Sequence, residues 1–294
     1  MDISVMLRCI GLTGNITKDK LPPLCSTVIQ WCREHNIRCV ADQLLYETLS
    51  GDFCDPVADQ SGWKQCDLII VFGGDGFLLH SVREIYPLQT PLLPVNIGSL
   101  GFNTQAEPEE IIGLLDRFRT EDLPLKKRHL LEVTPHSQET MIAFNDVLLI
   151  KETQSRLIHI DVEVNGEQLS TVPCDGIIIS TPAGATAYNL SAGGPLIYPS
   201  LSVFTLTPIC PHSLSVRPMV LPVDAEIVLR LNPWKDREDA ILSVDGQINM
   251  EVPPERDILI KQASENINIC EVHPESYFRK LKNVFRWAAP PKRT

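Results

Sequence analysis

The chain has 294 residues, 44% of them apolar and 21% charged, with a formal net charge of −11. That balance suits a soluble protein of one large or two ordinary domains. It argues against nucleic acid as a partner, which needs clustered Lys and Arg to displace counterions. No apolar run approaches the roughly 20 residues of a membrane span. The first ten residues lack a basic stretch before their apolar part, so they read as a strand rather than a signal peptide and imply a cytoplasmic protein. Nine cysteines, an odd number with no C-x-x-C pair, fit small core residues in a reducing compartment better than disulfides or metal ligands.

Residues 5–12 form the first candidate strand. Pro22-Pro23 opens a helix with Leu24, Val28, Trp31 and Cys32 on one face, closing near His35-Asn36. Residues 37–40 give a short second strand and 68–72 a third, whose continuous apolar side chains suit a sheet covered on both faces. Gly73-Gly74-Asp75-Gly76 follows, then a helix over 78–85. Asp75 thus stands at a strand-to-helix turn on the carboxyl edge of the sheet, where open α/β sheets bind ligands. The plainer alternative is an Asp that merely caps the helix. The turn is not a common phosphate loop: G-x-x-x-x-G-K-[ST] is absent, and Leu79 stands where G-x-G-x-x-G needs its third glycine. Residues 91–97 predict a fourth strand and 107–119 a helix that buries Ile111, Ile112, Leu115 and Phe118. Such a βαβ rhythm predicts a doubly wound, Rossmann-like parallel sheet.

Beyond Pro124 the texture changes. Ile158, Ile160, Val162 and Val164 alternate with polar residues before Asn165-Gly166, a type I′ hairpin signal, and Asp245-Gly246 repeats the device after 241–244. This half predicts an antiparallel, sandwich-like β domain. Tyr277, Phe278, Leu281, Val284 and Phe285 then follow helical spacing opposite Arg279, Lys280, Lys282 and Arg286. A basic amphipathic helix can lie on a membrane, but packing on its own protein is the commoner use. The expected domains are 1–122, with 274–294 returning to it, and 123–273.

A second motif spans 175–195. A strand over 177–179 runs into small and hydroxyl residues around Tyr188. Such a loop lets backbone amides approach a ligand, with Thr186 and Ser191 as hydroxyl donors and Tyr188 as a ring to flank a base. A turn that simply packs two sheets together is the alternative.

With both motifs in view, the chain resembles the NAD kinase family. Three further stretches match in the family's order: Phe144-Asn145-Asp146-Val147, the block from Pro208 to Ser215 with Arg217-Pro218, and Val244-Asp245-Gly246-Gln247. The resemblance implies phosphoryl transfer from ATP, or polyphosphate in some members, to the 2′-hydroxyl of the adenosine ribose of NAD. It also implies Mg²⁺ or a related divalent cation, with no protein ligand assigned, and a homodimer or homotetramer. By this analogy Asp75 is the general base, with Gly73 and Gly74 in the phosphate-donor turn. Asp75, Gly76, Asn145, Asp146, Arg156, Asp175, Thr186, Ala187, Tyr188, Asn189, Leu190, Ser191, Cys210 and Gln247 contact the dinucleotide. His212 reads as a structural hydrogen-bonder. The chain departs from the pattern at Phe77, where the family has Thr or Asn, and at Ala183 and Ala185, where it has hydroxyls. A lipid kinase shares Gly-Gly-Asp-Gly but not the 181–195 block, and a silent dinucleotide-binding module would share both motifs.

Overall fold

The computed structural model describes residues 7–49, 55–57, 59–98, 101–136, 138–152, 157–233, 240–273 and 276–285. Two compact units emerge, one of residues 1–127 with 267–294 and the other of residues 128–266.

The first unit begins with β1 (Cys9–Gly14), which runs two residues past its expected end because Thr13 and Gly14 pair with Val71 and Phe72. Helix α1 (Leu21–Glu34) carries its prolines in the first turn and buries Leu21, Cys25, Val28, Ile29, Trp31 and Cys32. Then come β2 (Arg38–Asp42), α2 (Gln43–Thr48), β3 (Asp55–Val57), α3 (Gln60–Trp63), β4 (Leu68–Gly73), α4 (Asp75–Ile85) and β5 (Leu92–Asn96). The helix expected over 107–119 splits. Pro108 starts a 3₁₀ turn closed by a reciprocal Glu107–Glu110 capping box, and α5 proper spans Ile111–Phe118. Strand β6 is Leu125–Arg128.

The second unit is antiparallel. One six-stranded sheet has the order β11-β10-β15-β18-β7-β8, formed by Glu167–Cys174, Ile158–Val164, Ile227–Asn232, Asp257–Gln262, Leu131–Pro135 and Met141–Ala143. The other has the order β14-β13-β12-β9-β16-β17, formed by Met219–Pro222, Val203–Ile209, Gly176–Ser180, Asp146–Lys151, Ala240–Val244 and Ile248–Val252. Inward side chains of both sheets, among them Ile160, Leu229, Leu149, Ile179, Phe204 and Leu242, form one buried core, as a sandwich requires. A single helical turn, α6 (Tyr188–Ser191), follows β12.

The chain then returns to the first unit as β19 (Ile267–Cys270) and α7 (Ser276–Val284). The completed seven-stranded sheet has the order β3-β2-β1-β4-β5-β19-β6. Strands β1 to β5 and β19 pair in parallel. The order 3-2-1-4-5 reverses between β1 and β4, so the carboxyl end of β4 lies at the topological switch point. Phe72 and Phe118 are fully buried in this core, each worth about 2–3 kcal/mol of transfer free energy.

Candidate active site

All six residues of β4 are buried, and the chain leaves the sheet through Gly74, extended at φ −100° and ψ −174°. Asp75 opens α4, where a carboxylate is favoured by the positive end of the helix. Its oxygens do not cap α4. They accept the backbone N–H of Phe102 at 2.7 Å and of Asn103 at 3.0 Å. That approach needs Gly101, because a Cβ there would collide with the Asp75 carboxylate. An ionised carboxylate has about four lone-pair sites. These two amides occupy two, which leaves acceptor capacity facing outward from a group that is only half-buried.

The same loop is held from behind by α7. Lys280 donates to the carbonyl of Phe102 at 3.0 Å and to that of Thr104. The Phe102 ring meets Tyr277 edge-on at 5.5 Å and Phe285 at 5.7 Å. Burial pulls the Lys280 ammonium below its usual basicity, opposed chiefly by the charge of Asp75. Beside this arrangement, a cavity of about 300 Å³ opens at the carboxyl ends of β1 and β2, with Thr13, Asp42, Trp63, Phe77 and His80 in its wall. Phe77, the residue after Gly-Gly-Asp-Gly, packs back onto Gly73 and stands 5.9 Å from the His80 ring.

In the second unit three turns meet at one end of the β12-β9-β16 sheet. Asp245, at φ 53° in the β16–β17 hairpin, is buried and accepts three successive N–H groups: Phe144 at 3.0 Å, Asn145 at 2.7 Å and Asp146 at 3.2 Å. Thr181, just past β12, donates its N–H to the Asn145 carbonyl and its hydroxyl to the Phe144 carbonyl. Gly184 lies so close to the Asn145 carbonyl that any side chain there would overlap backbone. Two polar groups inside this knot stand out. The Asn145 Oδ1 is buried with no hydrogen-bond partner. The Asp146 carboxyl is pushed up to about 7 by burial first and by the like charge of Asp245 second.

Not every expected residue joins these clusters. Asn145, Asp146 and Gln247 sit at the three-turn end, where Gly184, just before the 186–191 stretch, packs against the Asn145 carbonyl. Within that stretch Tyr188 and Ser191 are exposed, while Thr186, Ala187 and Leu190 are half-buried. Asn189 is fully buried, and its side-chain carbonyl accepts the hydroxyls of Thr207 at 2.7 Å and Thr205 at 3.3 Å. It anchors the loop to β13. Ala183 and Ala185 are buried as well. Asp175, paired with Lys151 at 2.7 Å, and Cys210 lie at the opposite end, where Gly176 of β12 faces Ile209 of β13 and Ile150 of β9. The full length of β12 separates them from Asp146. Arg156 lies outside the described residues. Gly73, Gly74 and Gly76 flank Asp75 as the motif requires. Sequence reasoning missed what the Asp245 carboxylate holds, although Asp245 stood both in a hairpin signal and in a family-matched stretch. It also missed the Phe102 and Asn103 amides, since backbone groups leave no mark in a sequence.

Among the described residues no three His, Cys, Asp or Glu side chains gather as a metal cage. Mg²⁺ is usually held by substrate phosphates with one or two carboxylates and water, and a cation carried in on a triphosphate is compatible with these residues.

Comparison with known proteins agrees with the geometry. The family model for the ATP-NAD kinase N-terminal domain matches residues 10–123, and that for the C-terminal domain matches 144–272. An NAD kinase of Geotalea daltonii is 39% identical over 284 residues, 95% of this chain and 94% of that protein. In fold, the chain is similar to yeast NADH kinase complexed with NADH, at a TM-score of 0.87 and 23% identity over 99% of this chain and 91% of that one. It is also similar to an NAD kinase from Archaeoglobus fulgidus in complex with ATP, at 0.72 and 21% over 95% and 98%. With a glycine-flanked carboxylate at the switch point of one unit and the knotted turns of the other both falling inside the matched regions, the chain belongs to the NAD kinase family.

Proposed function

We propose that Asp75 is the general base of this NAD kinase, in a transfer of the terminal phosphoryl group of ATP to the 2′-hydroxyl of the adenosine ribose of NAD. Family membership carries the reaction class, phosphorylation of NAD. The observation that carries the assignment of the base is the Asp75 carboxylate, fixed by two amides yet with lone pairs to spare.

A ribose hydroxyl is a weak nucleophile at neutral pH, and a carboxylate within hydrogen-bond reach that takes its proton contributes about 10²–10⁴ in rate. As the proton passes to Asp75, the hydroxyl oxygen bonds to the terminal phosphorus. The bond from that phosphorus to the bridging oxygen breaks, and ADP leaves with the electron pair. A divalent cation bound with the triphosphate would neutralise charge on the transferring group. The chain's own contribution is a base whose direction is set before substrate arrives: its amide partners are backbone, so no side-chain rotamer has to be frozen at the moment of reaction.

The β-rich unit serves as the dinucleotide-binding domain, with Asn145, Asp146 and the 186–191 stretch as contacts. The unpartnered Asn145 oxygen supports this, because buried polar atoms in native proteins nearly always find a partner. Donor choice between ATP and polyphosphate, and a homodimeric or homotetrameric assembly, rest on the family resemblance. A cytoplasmic setting is supported by cysteines that form no disulfide at any described position.

The direct test is Asp75→Asn, assayed for NADP formation beside NAD calorimetry. Turnover is expected to fall at least about a hundredfold while NAD affinity stays within a few-fold. Near-normal turnover would remove Asp75 from the chemistry.

A further inference from the structure

The peptide group joining Phe102 to Asn103 has its N–H on the Asp75 carboxylate at 3.0 Å and its carbonyl on the Lys280 ammonium at 3.0 Å. A peptide is planar and trans, so its N–H and C=O point in opposite directions. Whatever fixes one end aims the other. Here the C=O end is held by a cation from the C-terminal helix and the N–H end meets the anion taken as the base. The intervening group is polarised from both sides, which strengthens each bond in a half-buried setting. Lys280 grips the loop twice, through Phe102 and Thr104, and the Tyr277 and Phe285 rings clasp the Phe102 side chain. The loop therefore takes its orientation from α7, whose residues lie about 200 positions from the carboxylate they serve.

We propose that Lys280 is a positioning residue for the phosphoryl transfer, acting through the 102–103 peptide to hold the Asp75 carboxylate in line with its substrate. This rests on the reading of Asp75 as base. Lys280 touches neither substrate nor the reacting atoms in this scheme. Its loss should therefore leave NAD binding intact and lower turnover by letting the peptide plane rotate. A lysine that merely pinned the helix to the sheet would affect stability, or both kinetic constants together.

The experiment is a double-mutant cycle on the full chain with Lys280→Met and Asp75→Asn, reading kcat, KM for NAD and Tm. The methionine variant is expected to lose about tenfold or more in kcat with KM within threefold, and Lys280→Arg to recover most of that loss. In the Asp75→Asn background, Lys280→Met should cost nothing further, because its target is already gone. The inference is overturned if Lys280→Met stays within twofold of wild-type kcat, or if its loss is equally large with and without Asp75. Near-normal turnover of Asp75→Asn would sink the base assignment itself. A collapse there beside a neutral Lys280→Met would sink this inference alone. Lys280→Gln, which keeps a donor without the charge, answers the same question should the methionine variant not fold.

Discussion

Each unit contains an aspartate that grips a distant turn by its backbone amides, and the two differ in what is left over. Asp75 is half-buried and takes two N–H groups; Asp245 is buried and takes three. The first is oriented but keeps lone pairs that no amide occupies. The second is almost saturated and out of water, so it acts as a staple. Glycine-adjacent aspartates at turns thus differ in how many of their lone pairs the backbone consumes, and Asp75 keeps the greater acceptor capacity to spare.

Breaking the staple should give the largest effect. Asp245→Ala leaves three inward N–H groups without their acceptor, and at about 1–3 kcal/mol for each orphaned group the loss is expected to reach about 3–5 kcal/mol. Denaturant unfolding measures it, and a loss under about 1 kcal/mol would show that water replaces the carboxylate freely. The contrast with Asp75→Asn sharpens the comparison, since that variant should lose its hundredfold in turnover at a stability cost of only about 1 kcal/mol.

Asp146 offers a pH-resolved test of the same knot. Its carboxyl is pushed up to about 7 in the fold, against an ordinary value of 3.8. Between about pH 4 and 7 the folded chain therefore holds a proton that the unfolded chain has released, and stability falls as pH rises through that window. Asp146→Asn should be close to neutral near pH 4 and stabilising by about 2–4 kcal/mol at pH 8. Urea titrations at the two pH values check this, and equal differences at both would contradict it. The smallest expected effect is that of Gly101→Ala. Its new Cβ meets the Asp75 carboxylate and comes within 3.2 Å of Thr104 Oγ1. Turnover should fall roughly tenfold with about 1 kcal/mol of stability, and unchanged kinetics would show that the loop yields easily.

The parallel sheet was legible because short apolar runs alternate with helical patterns, β4 being an unbroken run ended by glycine, and the sandwich because alternation and Asn-Gly or Asp-Gly turns fix a two-residue period. The short α2, β3 and α3 were not foreseen, since three to six residues carry too little periodicity to register. Asp75 was legible as a candidate site residue through its glycines. Its partners were not: they are backbone amides of Phe102 and Asn103, and the ammonium behind them comes from the far end of the chain. Asn189, expected among the dinucleotide contacts, also ties its loop to β13 through Thr205 and Thr207, a packing role that no local sequence pattern announces.

Strand β19 lies between β5 and β6 in the seven-stranded sheet, although the chain builds β7 to β18 before reaching it. A nascent chain leaving the ribosome therefore exposes the free edge of β5 until residues 267–270 emerge. At about 5–20 residues per second, synthesis of the intervening segment takes on the order of ten seconds. Throughout that interval the helix that carries Lys280 has not been made. The clasp on Asp75 closes only once residues 276–285 have emerged, so a product cut short before them lacks the Lys280 contacts to the 102–104 loop.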